Sequence, residues 1–330
     1  MPSHLLTALE RQLDAPQAPA DLAPPPRFAD CRFDTYQLDP QQPGQADAVA
    51  HLHHFSKLRR NRRLWPFRER RPPGLYLDGA FGVGKTHLLA AAWHAAKGSK
   101  RYLSFAEAIS LMHVRGPRES QRLLQSELVC IDEFELDDPS NTRLIDLLLD
   151  DLVRHGARII VTSNTVPGEL GHGRFAIDDF RRQLQRIASH FACLHVPGQD
   201  YRQRLSQERP LHHWGPAVSI PAASEQHLVV TASELDAALQ RIPVINLRRL
   251  ARLLEQVSIM DLSPCQDQFA ALRLVHLVDR LYDYGVVLRV RTEIRIDQLF
   301  LPEYRDWSFA KKYRRCESRL HQLCSQEPTS

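Results

Sequence analysis

The chain has few of the residues that mark special compartments or special chemistries. Its six cysteines, at 31, 130, 193, 265, 316 and 324, contain no C-x-x-C pair and have no paired histidines nearby. That excludes a zinc site or a disulfide framework, and leaves reduced thiols of a cytoplasmic protein. No apolar run approaches the roughly 20 residues that a transmembrane helix needs, and the N-terminus lacks the basic-then-apolar order of a secretory signal. Internal repeats and a heptad run are missing too. Charge of neither sign dominates: 43 Lys and Arg against 39 Asp and Glu leave a net +4, too mild to argue for a nucleic-acid or membrane partner. What remains, 43% hydrophobic and 25% charged, is ordinary globular composition. At 330 residues the chain exceeds the size at which single cores stop growing, so one α/β domain with a smaller second domain is expected.

The most informative stretch is GLYLDGAFGVGKT, residues 74 to 86, a short apolar strand that runs into a glycine-rich turn. Gly79, Ala80, Phe81, Gly82, Val83, Gly84, Lys85 and Thr86 fit G-x-x-x-x-G-K-[ST] at every position, with His87 next in line. This is a phosphate-binding loop. Its glycines let the backbone turn so that successive N–H groups face one anion, and the helix that follows points its positive end at the same spot. The expected ligands are ATP and Mg²⁺, with Lys85 on the β- and γ-phosphates and the Thr86 hydroxyl on the metal.

Glu127 to Phe134, ELVCIDEF, is an apolar run ending in two carboxylates. A buried parallel strand with such a tip delivers Asp132 to the metal and Glu133 to the water that attacks the γ-phosphate. Between these motifs RYLSF, 101 to 105, is a candidate strand. After them come a helix from about 141 to 155, with Leu144, Ile145, Leu147, Leu148 and Leu152 as its buried face, and the strand RIIVTSN. The strand ends at Asn164, where an amide can hold the attacking water or the γ-phosphate. FACLHVPG, 191 to 198, closes the sheet as a fifth strand.

The flanks are less specific. Residues 1 to 30 carry DAPQAPADLAPPP, whose proline density forbids regular structure and gives a mobile or partner-docked arm. The basic run KLRRNRRLWPFRERR, 57 to 71, reads either as a solvated helix end or as an acidic or nucleic-acid contact with Trp65 and Phe67 interleaved. Residues 205 to 228 lose periodicity and carry three prolines, so a linker is expected there, with His212 and His213 without a metal role. From 229 onward helical patterns alternate with the candidate strands VSIMDL and VVLRVRT. On the long helix Leu272, Val275, Val278 and Leu281 make the core stripe and Arg273 lies off it.

Together, GLYLDGAFGVGKTHLL, LVCIDEFELDD, IIVTSNTVPGEL with the following GRF, GQDYR and RLVHLVDRLYDYGVVL resemble the ZapE-type cell-division AAA+ ATPase family, well over about 70 to 202 and moderately over 270 to 290. The resemblance implies a P-loop AAA+ core at 31–204 with a five-stranded parallel sheet flanked by helices, and a smaller, mainly helical α+β lid-like domain at 229–330. It places Asn164 as sensor 1, and Arg174 as the arginine that reaches a neighbouring subunit's nucleotide, with Arg181, Arg182 and Arg186 as competitors. Arg273 matches an arginine preceding the LVD-LYD stretch, and reads either as a lid arginine that touches the nucleotide, the sensor 2 role, or as a helix-surface cation. The resemblance further implies a homo-oligomer, an FtsZ client and recruitment to the division site at the inner membrane as a peripheral protein. The chain departs from the family where Ala80-Phe81 replaces part of the usual loop, and in 229 to 264, where a phenylalanine-rich segment is not recognisable. Two rival readings are a DNA-linked helper ATPase resembling helicase loaders, favoured only by the basic run, and a scaffold that binds ATP without turnover, opposed by Glu133.

Overall fold

A computed structural model describes residues 17–58, 73–136, 138–165, 178–198, 210–305 and 309–325. These residues divide into two compact units, 17–24 with 28–198 and 25–27 with 210–325.

The first unit is built on strands β1 (Gly74–Asp78), β2 (Lys100–Ser104), β3 (Leu128–Asp132), β4 (Arg158–Ser163) and β5 (Phe191–His195), all parallel in the order β2-β3-β4-β1-β5. β1 and β3 are buried at every position, as apolar runs covered on both faces should be. The edge strand β5 alternates instead, leaving Cys193 and His195 exposed. Helices α1 (Gly44–Lys57), α2 (Lys85–Ala95), α3 (Phe105–Leu124), α4 (Pro139–Arg154) and α5 (Asp178–Ser189) pack around this sheet. On α2 the run Leu88 to Ala92 is fully buried, and its three alanines let the helix axis approach the strands closely. Ser104 starts α3 with a capping box to Glu107, and Gly116, at φ 72°, breaks that helix before Pro117. All six cysteines are free thiols.

Two expectations change here. On α4 the buried stripe is Thr142, Ile145, Asp146, Leu149 and Leu152 together with Leu148, whereas Leu147 is exposed. The helix is turned so that a carboxylate rather than Leu147 enters the core, and Arg186 on α5 neutralises it with Nε 3.0 Å from Asp146 Oδ1. The described part of the expected mobile arm is docked: Leu22 is fully buried and its carbonyl accepts the Tyr102 N–H at 2.8 Å on β2. Burying one leucine contributes about 1.5–3 kcal/mol, enough to hold a short proline-stiffened segment that loses little entropy on ordering.

The second unit carries β6 (His227–Thr231), β7 (Gln256–Met260) and β8 (Val287–Arg291), a parallel sheet in that order, with helices α6 (Ala232–Leu239), α7 (Leu247–Leu253), α8 (Gln268–Tyr284) and α9 (Ala310–Cys324). β6 begins inside the stretch expected as linker, and Trp214 in that stretch is buried and forms a bridge to Val290 beside β8. α8 opens on Asp267, whose carboxylate accepts from Phe269 and Ala270 N–H, and closes on Gly285 at φ 71°. Of the expected stripe Val275, Val278 and Leu281 are buried, Leu274 and Leu277 join them, and Leu272 is only partly buried. The helix also carries a charged second face. Asp279 and Asp283 are buried with Arg280, Arg315 and Arg319, and Arg315 donates to Asp279 at 2.6 Å while Arg280 lies 3.0 Å from Asp283. Burial alone would raise the Asp279 carboxyl, but Arg315, Arg319 and Arg280 outweigh it and hold the group well below the usual range. Among the described residues no helix is long and apolar enough to cross a membrane.

Candidate nucleotide site

Register brings the tips of three strands together. Asp78 on β1 is level with Ser163 on β4, and Ile131 on β3 is level with Val161, so the residues that follow each strand stand side by side at one sheet edge. Those residues are the phosphate-loop candidates after Asp78, the pair Asp132-Glu133, and Asn164.

The loop itself takes the shape its glycines allow. Gly82 and Gly84 have φ of 74° and 86°, a region that L side chains avoid. A Cβ on Gly84 would also stand 2.7 Å from the Tyr36 ring. No side chain caps the first turn of α2, so its N–H groups remain available to an anion. Lys85 is buried and donates from Nζ to the carbonyls of Gly79 at 2.8 Å and Ala80 at 2.7 Å. Val83 is buried against the core, Phe81 is half-buried and Ala80 exposed. His87 faces a segment upstream, with Nε2 2.9 Å from the Arg32 carbonyl and 3.3 Å from Thr35 Oγ1.

Asp132 is the most enclosed acid of the site. It accepts from Thr86 Oγ1 at 3.3 Å, from Tyr102 at 3.2 Å, from the Glu133 N–H at 3.1 Å and from Thr162. Burial, then the charge of Glu133, pushes its carboxyl upward, and the three hydroxyls oppose this without cancelling it. Glu133 itself sits at φ 56°, strain of about 1–3 kcal/mol for a side-chain-bearing residue. Its N–H, donated to Thr162 Oγ1 at 3.0 Å, holds it there. Asn164 is half-buried in a turn fixed on both sides, by Thr165 N–H to Ser163 Oγ at 3.1 Å and by Tyr76 to the Thr165 carbonyl at 2.8 Å.

Lys85, Thr86, Asp132, Glu133 and Asn164 therefore share one edge. Arg174 lies outside the described residues, as do Trp65 and Phe67. Among its competitors Arg186 is bound to Asp146 and Arg182 is exposed, with a partner of its own. Arg273 belongs to the second unit, where it donates to Asp236 on α6 from Nε at 3.0 Å and Nη2 at 2.8 Å. Sequence reasoning missed Thr162 and Tyr102, which grip Asp132, and Tyr36, which donates to the Val83 carbonyl at 2.6 Å. Thr162 was recoverable as the residue beside Asp132 once the two strands are paired; Tyr36, far upstream, carries no local signal.

A strand, a phosphate loop opening a helix, and a neighbouring strand ending in paired carboxylates are the parts of a P-loop ATPase. The chain belongs to the AFG1-like ATPase family, which it matches over residues 15–239 and 217–329. The cell division protein ZapE of Escherichia coli (strain K12) is 27% identical over 318 residues, spanning 80% of this chain and 82% of that protein. Among solved structures, that of DnaI superposes with a TM-score of 0.42 at 19% identity, over 53% of this chain and 93% of that one. AMPPCP-bound DnaA from Aquifex aeolicus gives 0.39 at 18%, over 53% and 52%.

Proposed function

We propose that this ATPase hydrolyses Mg-ATP to ADP and phosphate to remodel a protein assembly, and that its relation to ZapE makes that assembly the FtsZ ring of dividing bacteria. The observation that carries the catalytic part is the meeting of Lys85, Thr86, Asp132 and Glu133 at one sheet edge.

The donor set fits a hard divalent cation. Asp132 and the Thr86 hydroxyl are oxygen donors in contact, and the partners of the buried Asp132 carboxylate among the described residues are hydroxyls and an amide, not a cation. When bound, Mg²⁺ supplies charge neutralisation at the β- and γ-phosphates. The chain's own residues do the rest. Loop amides from Gly79 to Thr86 and the start of α2 cradle the phosphates. Lys85 moves its ammonium from the Gly79 and Ala80 carbonyls to the transferred group. Glu133 orients the attacking water and takes its proton as the bond from water oxygen to γ-phosphorus forms and the bond to the β,γ-bridging oxygen breaks. Asn164 holds the water or a γ-oxygen, and Arg174 from a second copy meets the developing charge, an effect of roughly 10³ to 10⁵ in rate where it operates. The oligomer this requires acts at the inner-membrane division site as a peripheral protein. Arg273, the expected nucleotide contact from the lid-like domain, is held by Asp236 within its own unit.

The deciding measurement is the steady-state ATPase rate with and without polymerised FtsZ, and separately with single-stranded DNA. Stimulation by FtsZ alone is expected. Stimulation by DNA alone would replace the division reading by the helicase-loader one, and no turnover at all would leave a nucleotide-gated scaffold.

A further inference from the structure

The C-terminal sheet has two unlike faces. Leu228, Val230, Val257, Ile259, Leu288 and Val290 turn inward and are almost fully buried. The alternate residues put His227 on β6, Gln256 and Ser258 on β7 and Arg289 on β8 on the other face, with Ser258 level with Arg289. Beyond β8 the row continues. Trp214 bridges Val290, Val290 N–H donates to the His213 carbonyl at 2.7 Å, and His213 falls beside Arg289 on that same face.

Most of this row satisfies itself. His227 Nδ1 lies 2.9 Å from the Ala222 carbonyl and so carries the proton, which leaves Nε2 to accept from Ser258 at 2.8 Å or Gln256 at 3.0 Å. Two nitrogens are left over. Arg289 Nε and His213 Nδ1 are both buried without a hydrogen-bond partner, and His213 as a whole is 1% exposed. No carboxylate among the described residues forms an ion pair with Arg289. Burial first, then the positive charges of Arg289 and His212, lowers the His213 pKa, and a backbone hydrogen bond at His212 opposes this only in part. A guanidinium set into a sheet face without an anion is costly, and a half-buried one is still reachable from solvent.

We propose that Arg289 and His213, backed by Ser258 and His227, form a binding site for a small phosphate-type oxyanion on the polar second face of the C-terminal sheet. The planar guanidinium fork matches an oxyanion, and a second buried nitrogen beside it adds a directed donor. The ligand is a free ion rather than a membrane headgroup, because His213 lies beneath the surface. Arg289 and His213 both belong to the second unit.

The test is calorimetric titration of the full chain with inorganic phosphate, against chloride at matched ionic strength. It is run on wild type and on Lys85→Ala, which silences the phosphate loop. One saturable site retained in Lys85→Ala is expected, weakened at least tenfold by Arg289→Gln and less by Arg289→Lys, which keeps the charge but loses the fork. Should the Arg289 variants fail to fold, the imidazole resonances of His213 in the Lys85→Ala protein are followed by NMR, and they should shift saturably with phosphate. Heat in Lys85→Ala no different from chloride, unchanged affinity in folded Arg289→Gln, or unmoved His213 resonances would mean an adventitious ion only and overturn the proposal.

Discussion

Asp132→Asn should abolish ATP turnover and yet raise the stability of the metal-free protein. The side chain is 8% exposed, lies beside Glu133, and has hydroxyls and an amide around it rather than a cation. Its carboxyl is displaced upward even with Thr162, Thr86 and Tyr102 donating to it, so the fold prefers the neutral form. The folded state therefore holds the proton more tightly than the unfolded one, and wild-type stability falls as pH rises above the unfolded value of about 3.9 through the folded value. Asparagine keeps the shape and the Oδ1 contacts without the charge. The gain falls in the range of about 0.5–2 kcal/mol typical of relieving a functional-site penalty. At about 2–4 °C per kcal/mol for a unit of this size, that is a rise of some ~1–8 °C. Thermal unfolding in chelator should show the gap near zero at pH 4 and widening as pH rises from there, and Mg²⁺ with nucleotide should close it by stabilising wild type alone. An asparagine variant less stable than wild type at pH 7 in chelator would refute the reasoning, because the protein's own donors would then satisfy the charge.

Other substitutions separate the remaining parts. Glu133→Gln should bind ATP with affinity near wild type and lose at least a hundredfold in turnover, checked by calorimetry beside single-turnover hydrolysis. Gly84→Ala meets both a left-handed backbone and the Tyr36 ring at 2.7 Å; about 1–2 kcal/mol of strain should weaken ATP binding roughly tenfold or more. Asp279→Ala removes the acid that Arg315 and Arg319 share, leaving Arg319 the more distant Asp283 at 4.0 Å, and should cost about 3–5 kcal/mol, read by denaturant unfolding, with the loss shrinking as pH falls through the depressed folded pKa of Asp279.

The elements that position the site were legible because each is a strong local pattern. Buried parallel strands read as apolar runs, and a phosphate loop needs glycine, lysine and threonine at fixed offsets. The pairing of Asp132 with Thr162 was not, since it depends on which strand lies beside β3, a long-range fact. β6 was absorbed into the expected linker because HLVVT is short and follows a proline-rich stretch. Leu147 misled for a different reason: a leucine-rich helix offers more apolar residues than one face can bury, and the salt bridge from Arg186 let Asp146 take a core position. The LVDRLYD segment, read as a marker of family, supplies Asp279, Arg280 and Asp283 to the charge network under α9.

Tyr36 bears on where this chain can be cut. Its hydroxyl anchors Val83 and its ring fills the space over Gly84, so the nucleotide loop borrows part of its mould from a residue well upstream. A fragment trimmed to begin at the first strand would keep every letter of the loop's consensus and lose one wall of its cast. The minimal nucleotide-binding piece therefore starts before Tyr36.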